Sequence, residues 1–194
     1  MGRSQEYDRN RVLAGAAKVF RDKGYHAVSI KDLENTTGLK GGSIYHAFGD
    51  KAGLFAAAFE HYNDKVLGRR IETYAPAQLG LDGLRQLFLT LLEEPGGTSF
   101  GCLITNTAVE FGADHLPAGA AAGLHHLAAL FVDRLESAQR AGRLTRHLAT
   151  DAASAKLLAL YQGVLVLIRA GWDKRQLKTL IDAEFDQLEG QRDT

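Results

Sequence analysis

Residues 29–48 read SIKDLENTTGLKGGSIYHAF, and this stretch contains two short helical patterns separated by a glycine. Ser29 stands three residues before an aspartate, which is the spacing of a capping arrangement at a helix N-terminus. Gly38 follows that helix, and glycine readily adopts the positive φ found after a helix C-terminus. The next pattern, residues 41–48, places its isoleucine and its phenylalanine on one face. The stretch therefore predicts a helix-turn-helix.

Apolar residues recur at helical spacing along the rest of the chain. A first helix is predicted over Asp8–Lys23 and a long fourth helix from Asp50 to Tyr74, and five further helices follow. No stretch shows the two-residue alternation that is typical of a half-buried strand. We therefore expect an all-α protein of about nine helices, with a three-helix domain in residues 1–51 and a larger helical domain in residues 52–194.

The composition narrows the possible function. A single cysteine excludes a disulfide framework within the chain and a cysteine-based zinc site, which favours a reducing compartment such as the cytoplasm. The chain carries 23 basic and 23 acidic residues, but residues 1–70 have a net charge of +4 and residues 71–194 a net charge of −4. A basic N-terminal part on an acidic body is typical of a protein that docks locally on DNA, although a difference of this size also arises by chance.

The sequence gives less support to a membrane protein or an enzyme. The longest apolar run, residues 157–168, is shorter than the ~20 residues that span a bilayer, and the polar N-terminus lacks a signal-peptide pattern. We find no phosphate-binding loop, nucleophile elbow or HExxH motif, and His115, His125 and His126 lack the spacing of a helical metal pair. We therefore expect no enzyme activity, cofactor or metal. An all-α carrier or enzyme without DNA binding, and a helical module whose first three helices contact protein, are the alternatives from other classes.

The start of the third predicted helix suits contact with DNA. Residues 40–43, Lys-Gly-Gly-Ser, place an ammonium, unobstructed N–H groups and a hydroxyl at a helix N-terminus, where phosphate is favoured. Tyr45 and His46 add two polar rings, and Lys51 lies in the first turn of the fourth helix. Each feature also has a purely structural explanation, because the glycines can form a loop, Tyr45 can pack in a core and Lys51 can be a solvated charge.

A longer pattern surrounds this segment, from Arg11 to Phe55. It comprises Ala16-Ala17, Phe20, Lys23-Gly24-Tyr25, Ser29-Ile30, Asp32-Leu33, Thr37-Gly38-Leu39, Gly42-Ser43-Ile44-Tyr45-His46, Phe48, Asp50-Lys51 and Leu54-Phe55. The pattern covers about a quarter of the chain and resembles the DNA-binding domain of the TetR/AcrR transcriptional regulators. An unrelated helix pair rarely shows Gly-Ser-Ile-Tyr-His-x-Phe-x-x-Lys at this distance after an Ala-Ala-x-x-Phe helix.

The resemblance implies a homodimeric repressor. Members of the family read the major groove of double-stranded DNA with the third helix, dimerise mainly through their last two long helices, and bind a small-molecule effector in the C-terminal domain. The residues that it assigns to the operator are Ser29, Thr37, Lys40, Gly41, Gly42, Ser43, Tyr45, His46 and Lys51. The family's usual lysine position is Gly41 here and a frequent second histidine is Ala47, so we expect fewer direct base contacts.

The second half of the chain offers candidates for an effector pocket. Asn106 and Glu110, four residues apart on one helical face, are the best polar pair for a pocket with apolar walls. The pocket candidates are Phe59, Tyr62, Phe88, Phe100, Cys102, Asn106, Glu110, Phe131, Tyr161 and Leu165, most of which also suit a plain core.

The predicted helix 151–170 is apolar around most of its circumference. This pattern fits either the central helix of a monomeric bundle or a helix that also contacts a second subunit. We favour an interface between subunits that this helix forms together with the last one. The interface candidates are Leu158, Leu165, Leu177, Ile181 and Phe185.

A second hypothesis is that Cys102 senses electrophiles or oxidants. Gly101-Cys102-Leu103, followed by Asn106-Thr107-Ala108 and Glu110, resembles a subgroup of the family that includes sensors of electrophiles and oxidants. Unpaired N–H groups at a helix N-terminus favour a thiolate there. The alternative is a buried cysteine that packs as a small hydrophobe.

Overall fold

The computed structural model describes residues 7–93 and 101–190, and within these ranges the chain forms helices and no strand. Its α-helices are α1 (Arg9–Lys23), α2 (Ile30–Thr37), α3 (Gly41–Phe48), α4 (Lys51–His61), α5 (Arg69–Tyr74), α6 (Gly80–Leu89), α7 (Leu103–Phe111), α8 (Ala118–Arg140), α9 (Thr150–Arg169) and α10 (Lys174–Gly190). A π-helical segment, Tyr62–Gly68, lies between α4 and α5, and short 3₁₀ turns span Ala77–Leu79 and Thr90–Leu92. The predicted all-α class is confirmed.

The chain divides into two compact units. The first comprises Met1–Leu67 and Cys102–Ala121, and the second comprises Gly68–Gly101 and Ala122–Thr194. The first unit therefore contains α7 as well as the predicted DNA-binding helices, because α7 packs against α1. The boundary after residue 51 stays a prediction.

In the first unit, α1 is the helix around which the others pack. It contacts α2, α4 and α7, and its N-terminus is capped by the Asp8 carboxylate, which accepts the N–H groups of Asn10 and Arg11. Its buried residues are Val12, Leu13, Ala16, Ala17, Val19 and Phe20. An aromatic cluster with ring centroids 4.7–6.2 Å apart joins α1, α4 and α7, and its members are Phe20, Tyr25, Phe55, Phe59 and Phe111.

The fourth predicted helix is interrupted. Instead of one α-helix to Tyr74, the chain forms α4, the π-helical segment and α5. In the π-helical segment the i→i+5 pattern brings Tyr62 and Leu67, five residues apart, to the same buried side. The Tyr62 hydroxyl lies 3.3 Å from the Cys102 sulfur, and the Asn63 side chain donates to the Gly119 carbonyl at 2.8 Å. Such long-range contacts are not visible in local sequence periodicity.

In the second unit, four helices each contribute one ring to a central cluster. Phe88 of α6 lies 5.1–5.6 Å, centroid to centroid, from Phe131 of α8, Tyr161 of α9 and Phe185 of α10. All four side chains are at most 3% exposed. Edge-to-face and tilted rings at this spacing stabilise a core beyond the area that they bury.

Among the described residues, α9 is the one helix long and apolar enough to cross a bilayer by length and composition. The uninterrupted apolar run in this segment is shorter than a bilayer span, so the sequence predicted no such helix. In the structure, Leu157, Tyr161, Val164 and Ile168 of α9 are buried. This burial is the behaviour of a core helix.

Candidate nucleic-acid interface

The helix-turn-helix begins at a closed capping box. The Ser29 hydroxyl accepts the N–H of Asp32 at 3.1 Å, and the Asp32 carboxylate accepts the N–H of Ser29 at 2.9 Å. Lys23 donates to the same carboxylate at 2.5 Å. The Lys23 ammonium and then the Ser29 groups hold the pKa of Asp32 well below its usual range, because they stabilise the charged form. Asp32 is therefore ionised at neutral pH and fixes the start of α2.

The turn between α2 and α3 depends on Thr37 and Gly38. Gly38 has φ +75°, a left-handed conformation that glycine adopts without steric cost. The Thr37 hydroxyl donates to the Leu33 carbonyl at 2.6 Å and accepts the N–H of Leu39 at 3.2 Å. Thr37 is buried. The structure therefore places Thr37 inside the turn, with its hydroxyl occupied, and not on the exposed face where the sequence analysis put it.

The exposed face of α3 contains four of the nine predicted DNA-facing residues. Ile44 is fully buried and anchors the helix, whereas Tyr45 is 50% exposed. The Lys40 side chain does not cap the N-terminus of α3, but the Glu34 carboxylate accepts the Gly41 N–H and the Lys40 carbonyl accepts the N–H groups of Ser43 and Ile44, so the first turn is not unobstructed as the sequence predicted. The other exposed residues of this set are Ser29, Lys40, Gly42, Ser43 and His46.

Gly41 is a packing residue in this interface. Its N–H donates to the Glu34 carboxylate at 2.6 Å. A Cβ at this position would lie 3.2 Å from a methyl carbon of Ile30 and 3.4 Å from a Glu34 oxygen, whereas a Cβ on Gly42 would meet nothing within 4 Å. The start of α3 thus lies against α2 at Gly41, which gives a physical reason for glycine at the family's usual lysine position.

Lys51 is held by an aromatic ring. Its ammonium lies 4.6 Å from the centroid of the Tyr25 ring, within the range of a cation–π interaction. The Tyr25 ring in turn packs against Phe55 and Phe111, with centroids 4.9 and 5.4 Å away. The Lys51 ammonium therefore has a preferred position near the start of α4.

Arg9 is a cation that the sequence analysis missed. Its guanidinium lies over the Phe48 ring, 5.1 Å from the centroid, so it joins the start of α1 to the end of α3. Arg9 is exposed and carries a second positive charge beside the reading helix. Its position at a capped helix start was visible in the sequence, but its neighbour 39 residues away was not.

Asn106 and Glu110 have different roles from the predicted one. The Glu110 carboxylate accepts the N–H of Tyr25 at 2.8 Å and the N–H of His26 at 2.7 Å. The Asn106 side chain donates to the Arg21 carbonyl at 2.9 Å. The polar pair predicted to hold an effector therefore binds the chain's own backbone at the end of α1. The helical spacing was read correctly, but the partners lie about 85 residues away in the sequence.

The other predicted pocket residues lie in cores. Phe88, Phe131 and Tyr161 belong to the ring cluster of the second unit, where Leu165 is also buried. Phe59 packs in the first unit so closely that a Cβ on Gly119 would lie 2.8 Å from it. Tyr62 and Cys102 are buried in that unit and contact each other, while Phe100 lies outside the described residues. Pocket walls and cores share the same apolar pattern, so the sequence could not distinguish them.

The residues predicted to form the subunit interface lie on α9 and α10, but their burial requires a correction. Leu165, Leu177, Ile181 and Phe185 are at most 5% exposed in a single chain, so they form the core of the second unit. Leu158 is half-buried. The large apolar residues that α9, α10 and the segment between them expose are Val166, Trp172 and Leu180, at 49%, 54% and 46%.

Two family models match the chain. The model described as bacterial regulatory proteins, tetR family, matches residues 12–58, which include the helix-turn-helix. The model described as tetracyclin repressor-like, C-terminal domain, matches residues 80–184, which is more than half of the chain.

Individual relatives match to different extents. The HTH-type transcriptional repressor Rv1474c of Mycobacterium tuberculosis is 27% identical over 177 residues, 90% of this chain and 89% of that protein. The HTH-type transcriptional regulator YezE of Bacillus subtilis is 30% identical over 113 residues, 57% of this chain; the match spans 58% of YezE's own length. A cysteine-substituted form of the TetR family regulator CifR, complexed with operator DNA, has a TM-score of 0.83 at 22% identity, covering 96% of this chain and 100% of that one. This last likeness shows the fold.

Proposed function

Because this chain belongs to the TetR family of bacterial regulatory proteins, we propose that it is a homodimeric repressor that leaves its operator when a small molecule binds. Members of the family are transcription factors and not enzymes. We propose that this chain acts in the cytoplasm, where its operator DNA lies.

The exposed face of α3 is the observation that carries the DNA-binding proposal. Ser43, Tyr45 and His46 are exposed on α3, while Ile44 on the opposite side is buried. Side chains at such a position reach base edges, and Lys51 supplies a phosphate contact. The solved structure of cysteine-substituted CifR, which has a similar fold, is a complex with operator DNA, and we extend that partner to this chain.

The exposed apolar residues of the second unit support the proposed dimerisation. Val166 and Leu180 lie on α9 and α10, the two helices that the family uses for pairing. We take these exposed apolar side chains as part of a protein–protein surface. The two reading helices of a dimer then contact two half-sites of a palindromic operator.

The effector site belongs to the second unit in this proposal. The ring cluster of Phe88, Phe131 and Tyr161 is tightly packed, so an effector that enters there must separate the rings. A thermal-shift screen of metabolites tests this step, because a ligand that binds only the folded state raises the unfolding temperature. A hit should also weaken operator binding; a hit that stabilises the protein without changing DNA affinity contradicts effector control.

A binding titration tests the DNA-binding proposal. Fluorescence anisotropy measures the affinity of the chain for DNA upstream of its own gene, with a scrambled duplex as control, at salt concentrations between about 50 and 200 mM. We expect tighter binding to the upstream duplex and a loss of roughly a hundredfold or more over this range, because phosphate contacts release counterions. Equal, salt-insensitive binding to both duplexes contradicts the proposal.

A thiol sensor is the second candidate function. Cys102 directly precedes the first residue of α7, and its sulfur lies 3.3 Å from the Tyr62 hydroxyl, within hydrogen-bond distance. Burial of Cys102 restricts this chemistry to small reagents. We expect a small electrophile to release the operator from the wild type but not from Cys102→Ser. Equal release from both proteins removes Cys102 as the sensor.

A further inference from the structure

Two side chains of α7 make three hydrogen bonds to the backbone at the end of α1 and just after it. Both oxygens of Glu110 accept backbone N–H groups, those of Tyr25 and His26, and the Asn106 amide donates to the Arg21 carbonyl. Tyr25 and His26 lie in the corner between α1 and α2, and Arg21 lies in the last turn of α1. Bonds to an ionised acceptor are roughly twice as strong as those between neutral groups. This corner is therefore fixed by side chains of α7.

The corner is shaped to receive the carboxylate. Gly24 has φ +83°, and a Cβ on it would lie 2.9 Å from a Glu110 oxygen. Any larger residue would push the carboxylate away from the two N–H groups. The glycine thus ends α1 and leaves space for Glu110.

Tyr25 connects this corner to the DNA-facing surface. Glu110 holds its backbone N–H, and Phe111, the next residue of α7, packs on its ring. The Lys51 ammonium lies 4.6 Å from the centroid of the same ring. A change in the position of Tyr25 therefore changes the support for Lys51.

We propose that Glu110 is a positioning residue for operator binding: it fixes Tyr25, and Tyr25 holds the Lys51 ammonium where it meets a DNA phosphate. The inference rests on the proposed function, because it takes Lys51 as a phosphate contact. It also makes α7 the element of the first unit that determines how firmly this contact is made. Asn106 supports the same corner.

The test uses Glu110→Gln in the full-length protein. Glutamine keeps one acceptor oxygen but turns an NH₂ group toward the second backbone N–H, so the shape is kept and the double acceptor is lost. Asp114→Asn is the matched control, because it removes the same charge from an exposed residue four positions further on. Thermal unfolding of both variants checks that the fold is kept.

A double-variant comparison with Lys51→Ala measures the coupling. We expect Glu110→Gln to weaken operator binding by about tenfold and to reduce the salt dependence as Lys51→Ala does, by roughly one phosphate contact. The double variant should bind no more weakly than Lys51→Ala alone. Additive losses, or an affinity equal to that of Asp114→Asn, overturn the inference.

A second readout does not depend on DNA. Acylation of Lys51 by an amine reagent, measured by mass spectrometry, should be faster in Glu110→Gln than in wild type or Asp114→Asn, because the ammonium is no longer held on the ring. Unchanged labelling overturns the inference even where the operator is unknown. A failure of all proteins to bind DNA, with faster labelling in Glu110→Gln, contradicts the proposed function and leaves the coupling of Glu110 to Lys51 supported.

Discussion

The Lys51 ammonium lies 4.6 Å from the centroid of the Tyr25 ring and so joins the first turn of α4 to the corner between α1 and α2. A long, flexible side chain normally loses rotamer freedom when it binds a phosphate. A ring that already holds the ammonium reduces that loss, because part of the ordering occurs in the free protein.

Tyr45 provides the most direct test of the reading helix. It is 50% exposed on α3, so Tyr45→Ala should weaken operator binding by about tenfold or more while the unfolding temperature changes little. Tyr74→Ala, at a tyrosine 39% exposed on α5, is the matched control. Anisotropy titrations and thermal unfolding measure both effects. Equal operator affinities for the two variants would contradict the assigned docking face.

Replacing either of the two adjacent glycines at the start of α3 by alanine should change the free energy of unfolding by different amounts. Gly42→Ala should stabilise the protein by up to about 1 kcal/mol, because alanine is the better helix former and nothing lies within 4 Å of its Cβ. Gly41→Ala should gain clearly less or lose stability, because its Cβ comes 3.2 Å from Ile30. Urea unfolding compares the two free energies of unfolding. An equal gain in both variants would show that α3 does not pack against α2 as described.

Arg134 is a buried cation whose removal should be costly. Its guanidinium donates to the Ala75 carbonyl at 2.9 and 3.2 Å and also contacts Asp133. Arg134→Met should lower the free energy of unfolding by about 3 kcal/mol, because it leaves that carbonyl without its donors. Arg140→Met on the same helix, at a side chain 68% exposed and 3.8 Å from Glu136, should cost less than about 1 kcal/mol. Urea unfolding of both variants measures the difference.

Substitutions at Leu180 and Ile181 should distinguish a loss of dimerisation from a loss of folding. Leu180→Glu alters a residue 46% exposed and should yield a folded monomer, whereas Ile181→Glu places a charge in the core and should unfold the chain. Sedimentation velocity and circular dichroism distinguish these results. A Leu180→Glu protein that sediments as the wild-type dimer would move the interface away from this residue.

Two carboxylates should make the second unit sensitive to acid. The Arg143 guanidinium holds the pKa of Asp82 below its ordinary value, and Lys178 followed by Arg85 does the same for Asp182. A carboxyl group with a lowered pKa in the folded state binds its proton more weakly there than in the unfolded chain. Its stabilisation is present above the unfolded-state pKa of about 3.9 and is lost as pH falls through the folded-state pKa.

The acid response can be measured by urea unfolding between about pH 5 and pH 3, the range around the unfolded-state pKa. A variant with both Asp82→Asn and Asp182→Asn should lose less stability over this range than the wild type, since it no longer has these two groups to protonate. Parallel losses in the two proteins would show that the ion pairs do not contribute.

Local features of this protein were determined by the sequence itself. The capping box at Ser29, the turn at Gly38 and the buried stripe of α1 depend on residues three to four apart, and all three are present in the structure. The exposed position of His46 follows from the same helical periodicity, which left Tyr45 open between core and surface. These features could be predicted because each depends on interactions within one or two turns of helix.

Tertiary structure decided the features that join distant segments. Glu110 binds backbone 85 residues away, so nothing in its own helix distinguishes it from a pocket residue. Ile181 and Leu180 are neighbours in an amphipathic helix, and only packing shows that the first is core and the second surface. The interruption of α4 at Tyr62 depends on contacts from α7 and the start of α8. Apolar and polar residues have the same local pattern in each of these cases, and their partners are set only when the chain has folded.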